Sequence, residues 1–238
     1  KADIGGLPPQ DVVAYGDTLY VLSRDTNNVT SLSLLDKNSL VTLDLWMTWT
    51  DSAGVADSLS EGMTLTATKE RLYICSEGSR VDVFDRSSMA YVTTIGKGNW
   101  WADDSVVLVH AFALVEVNGK VIIRDKHHMR VFNVDDLLYD NRKDIRLQAK
   151  SIDLGANGGK QPYGMVVSDD KIFVTGYDEK AIHVFKQSQF TSHDTDIVPI
   201  DTISLDERPY DISESQGALY IVLNNGTVEK RSPASYEL

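Results

Sequence analysis

A single cysteine, Cys75, stands among 238 residues, so no disulfide forms within the chain and the fold rests on its apolar core. No run approaches the roughly 20 consecutive apolar residues of a membrane helix, and no basic start followed by a short apolar stretch marks a secretory signal. Basic residues are few: 23 Lys and Arg against 35 Asp and Glu leave a formal charge of −12, which repels phosphate backbones and anionic headgroups. Nucleic acid and membrane surfaces are therefore excluded as expected partners. Long amphipathic helices are also missing; helix-like spacing is confined to residues 51–61 and 134–141. The chain opens on Lys1 rather than Met, the pattern expected of a processed or excised segment. Hydrophobic residues make up 42% of the chain, enough to build a substantial core.

What fills the sequence is β-type patterning. Short apolar or alternating runs rich in Val, Ile, Thr, Tyr and Phe are separated by Gly, Asn, Asp and Ser turns. The triplets Leu19-Tyr20-Val21, Leu72-Tyr73-Ile74, Val121-Ile122-Ile123, Ile172-Phe173-Val174 and Leu219-Tyr220-Ile221 begin 53, 49, 51 and 47 residues apart. Seven residues before each anchor stands Val12, Leu65, Leu114, Met165 or Ile212, and ten before it stands Pro9, Gly62, Ala111, Pro162 or Pro209. Half of the six prolines thus fall at one phase. A second run follows each anchor (29–32, 81–84, 129–134, 181–185, 227–230), and a further run follows in four units (40–45, 89–95, 145–152, 197–203). Each unit then supplies four strands, a to d. A four-stranded antiparallel sheet recurring at this period predicts a single all-β domain, a five-bladed β-propeller. Its expected blades are 8–46, 61–96, 110–153, 162–204 and 209–238, with residues 1–7 completing the last as its d strand begins near Leu238.

Two units carry a family likeness. Pro162-Tyr163-Gly164-Met165-Val166-Val167, Lys171-Ile172-Phe173-Val174-Thr175-Gly176 and Ala181-Ile182-His183-Val184-Phe185 together resemble a blade of the NHL and YVTN-type propeller repeats. Pro209-Tyr210-Asp211-Ile212 with Leu219-Tyr220-Ile221-Val222 resembles it too. The resemblance implies blade architecture and says little of activity, since such repeats serve scaffolds, adhesins, sensors and a few enzymes. It also implies a periplasmic, lipoprotein, cell-surface or secreted setting.

In a propeller the d-to-a connections and b-to-c turns gather at one face around the channel mouth. Two d-to-a connections are long, 46–60 and 95–109, and all four tryptophans, Trp46, Trp49, Trp100 and Trp101, lie in or at the start of them. One reading is an aromatic platform that stacks on a sugar, peptide or aromatic group, with Asp51, Asp57, Asp103 and Asp104 accepting hydrogen bonds. The competing reading is that the loops use tryptophan as their own small core. The b-to-c turns are charged: Arg24-Asp25, Glu77 with Arg80, Arg124-Asp125-Lys126-His127-His128, and Tyr177-Asp178-Glu179-Lys180. Gln10, Glu61, His110, Tyr163 and Tyr210 open the a strands, and Glu61 is the one acid among them. Beside Arg80, Glu61 is either a paired structural carboxylate or a general acid/base.

Other candidates are weaker. His127 and His128 are adjacent, so they share an ion only from a turn, and no Cys or carboxylate stands at zinc spacing beside them. Asp11 and Asp211 share a phase and together suggest a channel cation such as calcium; otherwise no cofactor or metal is expected. The glycine-rich stretch 155–160 ends in Lys without a following Ser or Thr and precedes a strand, so it is no phosphate loop. Cys75 reads as a packing residue, and Asn28-Val29-Thr30 and Asn225-Gly226-Thr227 as glycan acceptors only in a glycosylating, secreting cell.

No set of nucleophile, base and orienting group is discernible. The expected function is non-catalytic binding of a protein, peptide or carbohydrate through Trp46, Trp49, Glu61, Arg80, Trp100, Trp101, His127 and Tyr177 at the upper face. Two alternatives stand beside it. Glu61-Gly62-Met63-Thr64-Leu65 is similar to the Glu-Gly segment of plant-type glutaminyl cyclases, which implies a cyclase- or lyase-type enzyme using Glu61. The other is an architectural module of a larger surface protein.

Overall fold

The structure is a computed structural model, and it describes residues 8–27, 29–50, 56–59, 62–76, 80–96, 108, 111–124, 128–134, 152–153, 164–190 and 197–237. They are nearly all β. The first sheet comprises β1 (Pro9–Tyr15), β2 (Thr18–Arg24), β3 (Thr30–Asp36) and β4 (Thr42–Trp46), each antiparallel to the next. A short hairpin follows, β5 (Thr48–Thr50) with β6 (Ala56–Ser58). The second sheet holds β7 (Gly62–Ala67), β8 (Arg71–Ser76), β9 (Arg80–Asp85) and β10 (Tyr91–Ile95). The third holds β11 (Ala113–Val117), β12 (Lys120–Arg124), β13 (His128–Asn133) and β14 (Ile152–Asp153). The fourth holds β15 (Met165–Ser168), β16 (Lys171–Gly176), β17 (Ala181–Lys186) and β18 (Asp201–Ser204), with a 3-10 turn at Gln187–Phe190. The fifth has three strands among the described residues, β19 (Pro209–Ser215), β20 (Ala218–Leu223) and β21 (Val228–Arg231).

Local chemistry fixes the turns. Asp36 Oδ1 accepts from the Asn38 and Ser39 amides and from Ser39 Oγ, and Asp85 Oδ1 does the same for Ser87 and Ser88. These bonds hold the Asp85 carboxyl down to about 2. The turns close on Leu40 and Met89, both at φ 57°. The third and fourth strands of sheets one and two therefore use the same Asx-type turn, one blade period apart.

The described residues fall into two compact units, one within Lys1–Ala111 and the other within Phe112–Val134 and Gln148–Leu238. In each, the anchor triplets divide their side chains between the two sheet faces. In the first unit Tyr20, Leu22 and Leu32 of sheet one meet Leu65, Leu72, Ile74 and Phe84 of sheet two. In the second, Ile122 of sheet three meets Ile172 and Val174 of sheet four, and Phe173 on the other face meets Leu219 and Ile221 of sheet five. At these junctions within the units, the first and third anchor residues thus face the preceding blade and the second faces the following one. That two-sided burial explains why each anchor is a continuous apolar run rather than an alternating one.

A polar tie runs along the same seam. Asp11 Oδ2, on β1, accepts from Leu65 N on β7 at 2.7 Å, and its Oδ1 accepts from Val12 N. Burial pushes the Asp11 carboxyl above the ordinary carboxylate range, against the pull of these two amides. In the second unit the a strands come so close that a Cβ at Gly164 would lie 2.5 Å from Ile212 N.

The helix-like spacing at 51–61 gives a strand instead at Ala56–Ser58, where Asp57 pairs with Trp49. After β21, Ser232 N and O bond to Glu237 O and Tyr236 N, closing a turn that sets Tyr236 edge-on to Phe173 of sheet four, and the d strand expected from Leu238 and residues 1–7 lies outside the described residues. Pro233, which has no amide to give a ladder, sits in that turn, and Lys171 Nζ donates to its carbonyl. Residues 1–7 and 135–141 lie outside the described residues.

Gly164→Ala is expected to cost roughly 1–3 kcal/mol, the range for forced overpacking, because the obstacle is backbone. Urea unfolding measures it, and an unchanged midpoint contradicts the close approach.

Candidate functional site

The long connection after β4 folds back onto sheet two as the β5–β6 hairpin. Trp49 at its centre is 5% exposed; its ring stacks on Tyr91 of β10 at 3.8 Å and 8°, with Phe84 edge-on at 6.2 Å. The indole N–H finds no acceptor among the described residues. Trp46 is half-buried, and its Nε1 donates to Asp44 Oδ2. Arg80, opening β9, then ties the hairpin down: Nη2 donates to Ser58 O at 2.8 Å and Nη1 to Asp57 Oδ2 at 3.3 Å. The same guanidinium lies 3.0 Å from Asp82 Oδ2, an ion-pair contact without hydrogen-bond geometry. Asp82 is fully buried, and its Oδ1 accepts from Thr94 Oγ1 at 2.7 Å. Burial pushes its carboxyl up, Arg80 and Thr94 pull it down, and Asp57 pushes it up again.

A second polar group lies in the other unit, at the turn between β16 and β17. Tyr177 donates from its hydroxyl to Asn224 Oδ1 at 3.1 Å, and the Arg208 guanidinium sits over its ring at 5.1 Å. Arg208 also approaches Asp178 at 3.8 Å, while Lys180 Nζ donates to Asp206 O. The turn of blade four is thereby coupled to the connection into blade five and to that blade's own turn. Below it, a Cβ on Gly176 would lie 2.8 Å from His183 Nε2 and 3.0 Å from Glu179 Oε2, so the bare glycine makes room for both. Burial lowers the His183 pKa; Glu179 opposes this and Arg124 adds to it.

Of the residues singled out by sequence, Trp46, Trp49 and Arg80 come together in the first unit, whereas Tyr177 belongs to the second. Glu61, Trp100, Trp101 and His127 lie outside the described residues, as do Asp51, Glu77, Asp103, Asp104, His110 and Tyr163. Gln10 and Tyr210 are exposed. His128 begins β13. Among the described residues no group of three or more His, Cys, Asp or Glu is placed to hold a metal ion, and both Asp11 oxygens already accept backbone amides. Cys75 is buried, with its thiol pushed up to about 12 by that burial.

One regular feature emerges only from the strand pairing. Directly across from the third anchor residue of every blade stands a polar residue on the c strand: Ser33 opposite Val21, Asp82 opposite Ile74, Arg130 opposite Ile123, His183 opposite Val174 and Glu229 opposite Ile221. Paired residues share a face, so this column lies on the side of each sheet that carries the first and third anchor residues. Asp82 is served by Arg80 and Thr94, and Glu229 by Arg231 at 2.6 Å. The pattern is visible in the runs Val81-Asp82-Val83-Phe84, Met129-Arg130-Val131-Phe132 and Ile182-His183-Val184-Phe185 once they are aligned on the anchor.

Arg80→Ala leaves a buried carboxylate without its cation, and about 3 kcal/mol of stability is expected to go at neutral pH. Because the folded-state pKa of Asp82 lies above the ordinary value, its ionisation costs stability as pH rises through that pKa, and protonation removes the cost. The deficit of the variant should therefore shrink on acidification toward the carboxylate range. Urea midpoints at about pH 7 and about pH 4.5 check it; a pH-independent deficit contradicts it.

No protein-family model matches the chain, and no curated protein matches it either. Solved structures do. Hsv2 of Kluyveromyces lactis with a complete loop 6CD superposes with a TM-score of 0.56 at 9% identity, over 97% of this chain and 61% of that one. The Pan2 WD40 domain of Neurospora crassa gives 0.50 at 13% identity, over 74% of this chain and 47% of that one. The computationally designed Ika8 protein gives 0.52 at 9% identity, over 93% and 70%. The chain thus spans about three fifths of the length of Hsv2, at 61%. WD40 domains are β-propellers, and the superpositions together with this chain's succession of antiparallel sheets place it in that fold class: it is all-β, a five-bladed β-propeller.

Proposed function

We propose that the chain is a non-catalytic binding propeller that recognises a protein or peptide partner through the rim of its first unit, with the β5–β6 hairpin as the reading element. The observation that carries this is the way the hairpin is fastened. Trp49 supplies an apolar rivet against Tyr91 and Phe84, and Arg80 joins Asp57 and Ser58 O of the hairpin to Asp82 of β9. An insertion held on a rigid sheet binds without first paying to order itself. Trp49 and Arg80 are thus positioning residues, and contact falls to the outward positions: Trp46, Met47, Thr48 and Thr50, of which Met47 is 44% exposed.

Tyr177 and its cluster form a separate polar rim in the second unit, suited to hydrogen bonding with partner backbone or side chains. The repeat type proposed is NHL/YVTN-like, on the anchor and c-strand runs, and with it a cell-envelope or secreted setting. Trp100, Trp101, Glu61 and His127 complete the proposed binding set.

Replacing residues 48–58 with a short Gly-Ser link tests the proposal. Peptide and glycan arrays probed with the intact chain and with the variant are expected to show peptide ligands bound by the former and lost from the latter, while β-sheet circular dichroism persists. Peptide binding unchanged by the replacement, or glycan binding alone, overturns it.

A further inference from the structure

The fourth strand of a propeller blade lies at its outer circumference, so its free edge stays open when the blades close into a ring. β4, β10 and β18 are strands of this kind. On β10 no side chain is exposed, and β18 exposes Asp201, Thr202 and Ser204 while burying Ile203. β4 departs from both. Val41, just ahead of it, is 59% exposed, Leu43 59%, Leu45 46%, and Met47, just after it, 44%. Ser33, the partner of Leu45 on β3, is buried, so this apolar row follows the outer strand and not the centre of the sheet.

No described strand pairs with the outer edge of β4. Two devices guard that edge. Leu43 is a bulged extra residue, since Leu34 pairs with Asp44 and Leu35 with Thr42. Asp44 turns its carboxylate on the strand's own donors: Oδ1 accepts from Leu45 N and Oδ2 from Trp46 Nε1, both at 2.8 Å. Bulges and charge protect an edge against indiscriminate pairing. β18 carries the same clip, Thr202 N to Asp201 Oδ1, on a strand whose exposed side chains are polar, as shielding alone requires. On β4 the clip sits inside an apolar row instead, and a cation opens it: a lysine or arginine that takes the Asp44 carboxylate leaves Leu45 N to an incoming carbonyl. Charge narrows the occupant further. Residues 25–59 hold five aspartates and a single basic residue, Lys37. A second copy of this chain would set the same acid excess, Asp44 included, against itself, whereas a cationic strand meets it with opposite charge.

We propose that β4 takes up an added strand from a partner: an extended peptide segment that alternates apolar residues with Lys or Arg. Its apolar side chains lie on Val41, Leu43 and Leu45, a basic one pairs with Asp44, and the segment runs on to Trp46 and Met47 at the foot of the β5–β6 hairpin. The proposal rests on the reading of that hairpin as the binding element and names the class of partner it takes. Main-chain bonds to the edge supply affinity, and the alternate side chains of the added strand supply specificity. Acidic or wholly polar segments meet the same edge with repulsion or without apolar contact, so the aspartate and the leucines select together.

Fluorescence anisotropy of a labelled peptide of about eight residues, alternating Lys with Val, tests this on the intact chain. Binding is expected to weaken as salt rises and to be lost when Glu replaces each peptide Lys. It should vanish when one alternate set of peptide amides is N-methylated and survive methylation of the other set, as a strand paired along one side requires. These comparisons use the unaltered chain, so they do not depend on the folding of any variant. Leu43→Ser and Leu45→Ser, which remove apolar surface without changing charge, should each weaken binding by about tenfold with thermal midpoints unchanged, and Asp44→Asn should flatten the salt dependence. No binding of the basic peptide, equal binding of the acidic one, indifference to which amides are methylated, or dimerisation of the chain through Leu43 in place of peptide binding would overturn the proposal. A peptide ligand lost with residues 48–58 yet untouched by Leu43→Ser overturns it too, and leaves the hairpin's own role standing.

Discussion

Everything in this molecule depends on apolar side chains that alternate along a strand and interlock with those of the neighbouring blade. The anchor strands β2, β8, β12 and β16 are buried on both faces, so their residues divide between the two. An anchor residue such as Leu72 or Phe173, buried completely, contributes about 2 kcal/mol or more, and its loss leaves a cavity between two sheets rather than within one. Within each unit the adjoining blades are thus not independent; each supplies half the core of its neighbour. The Asp11 bond to Leu65 N and the approach of Gly164 to Ile212 N are polar and steric expressions of the same seam.

Such a core leaves the blade ends free to vary. The connection after β4 shows what variation achieves: a hairpin laid over the blade and held by a stacked tryptophan and a buried ion pair. Desolvating Asp82 is costly, and its cost is offset only while Arg80 and Thr94 stay in place. The hairpin shares Arg80, so its position is linked to the protonation and integrity of the blade beneath it. Rigid presentation of a loop by a scaffold is how propellers acquire binding specificity without altering the sheets.

The fold was legible in the sequence because the anchor period and the doubly buried strands leave a pattern that turns cannot erase. The expected strand runs at 81–84 and 181–185 coincide with β9 and β17 almost residue for residue. The β5–β6 hairpin was not legible: residues 51–61 carry a helix-like apolar spacing, and pairing of Trp49 with Asp57 overrode it. Trp49 stood out by type, yet its burial depends on Tyr91, which lies 42 positions away along a different strand. Arg80 was tied to Glu61 by proximity in the expected channel; its partners among the described residues are Asp57, Ser58 and Asp82. The polar c-strand column escaped because a lone Asp, Arg or His inside an apolar run looks like surface alternation until the anchors are aligned.

The hairpin is a fastened part of blade two and not a loop resting on it. Native-state hydrogen exchange of the intact chain measures this directly, amide by amide. The β5–β6 amides are expected to exchange as slowly as those of β7 and β10, and to speed up only when the whole blade opens. Exchange of the hairpin at the rate of an unprotected loop, with β7 to β10 still protected, would contradict it.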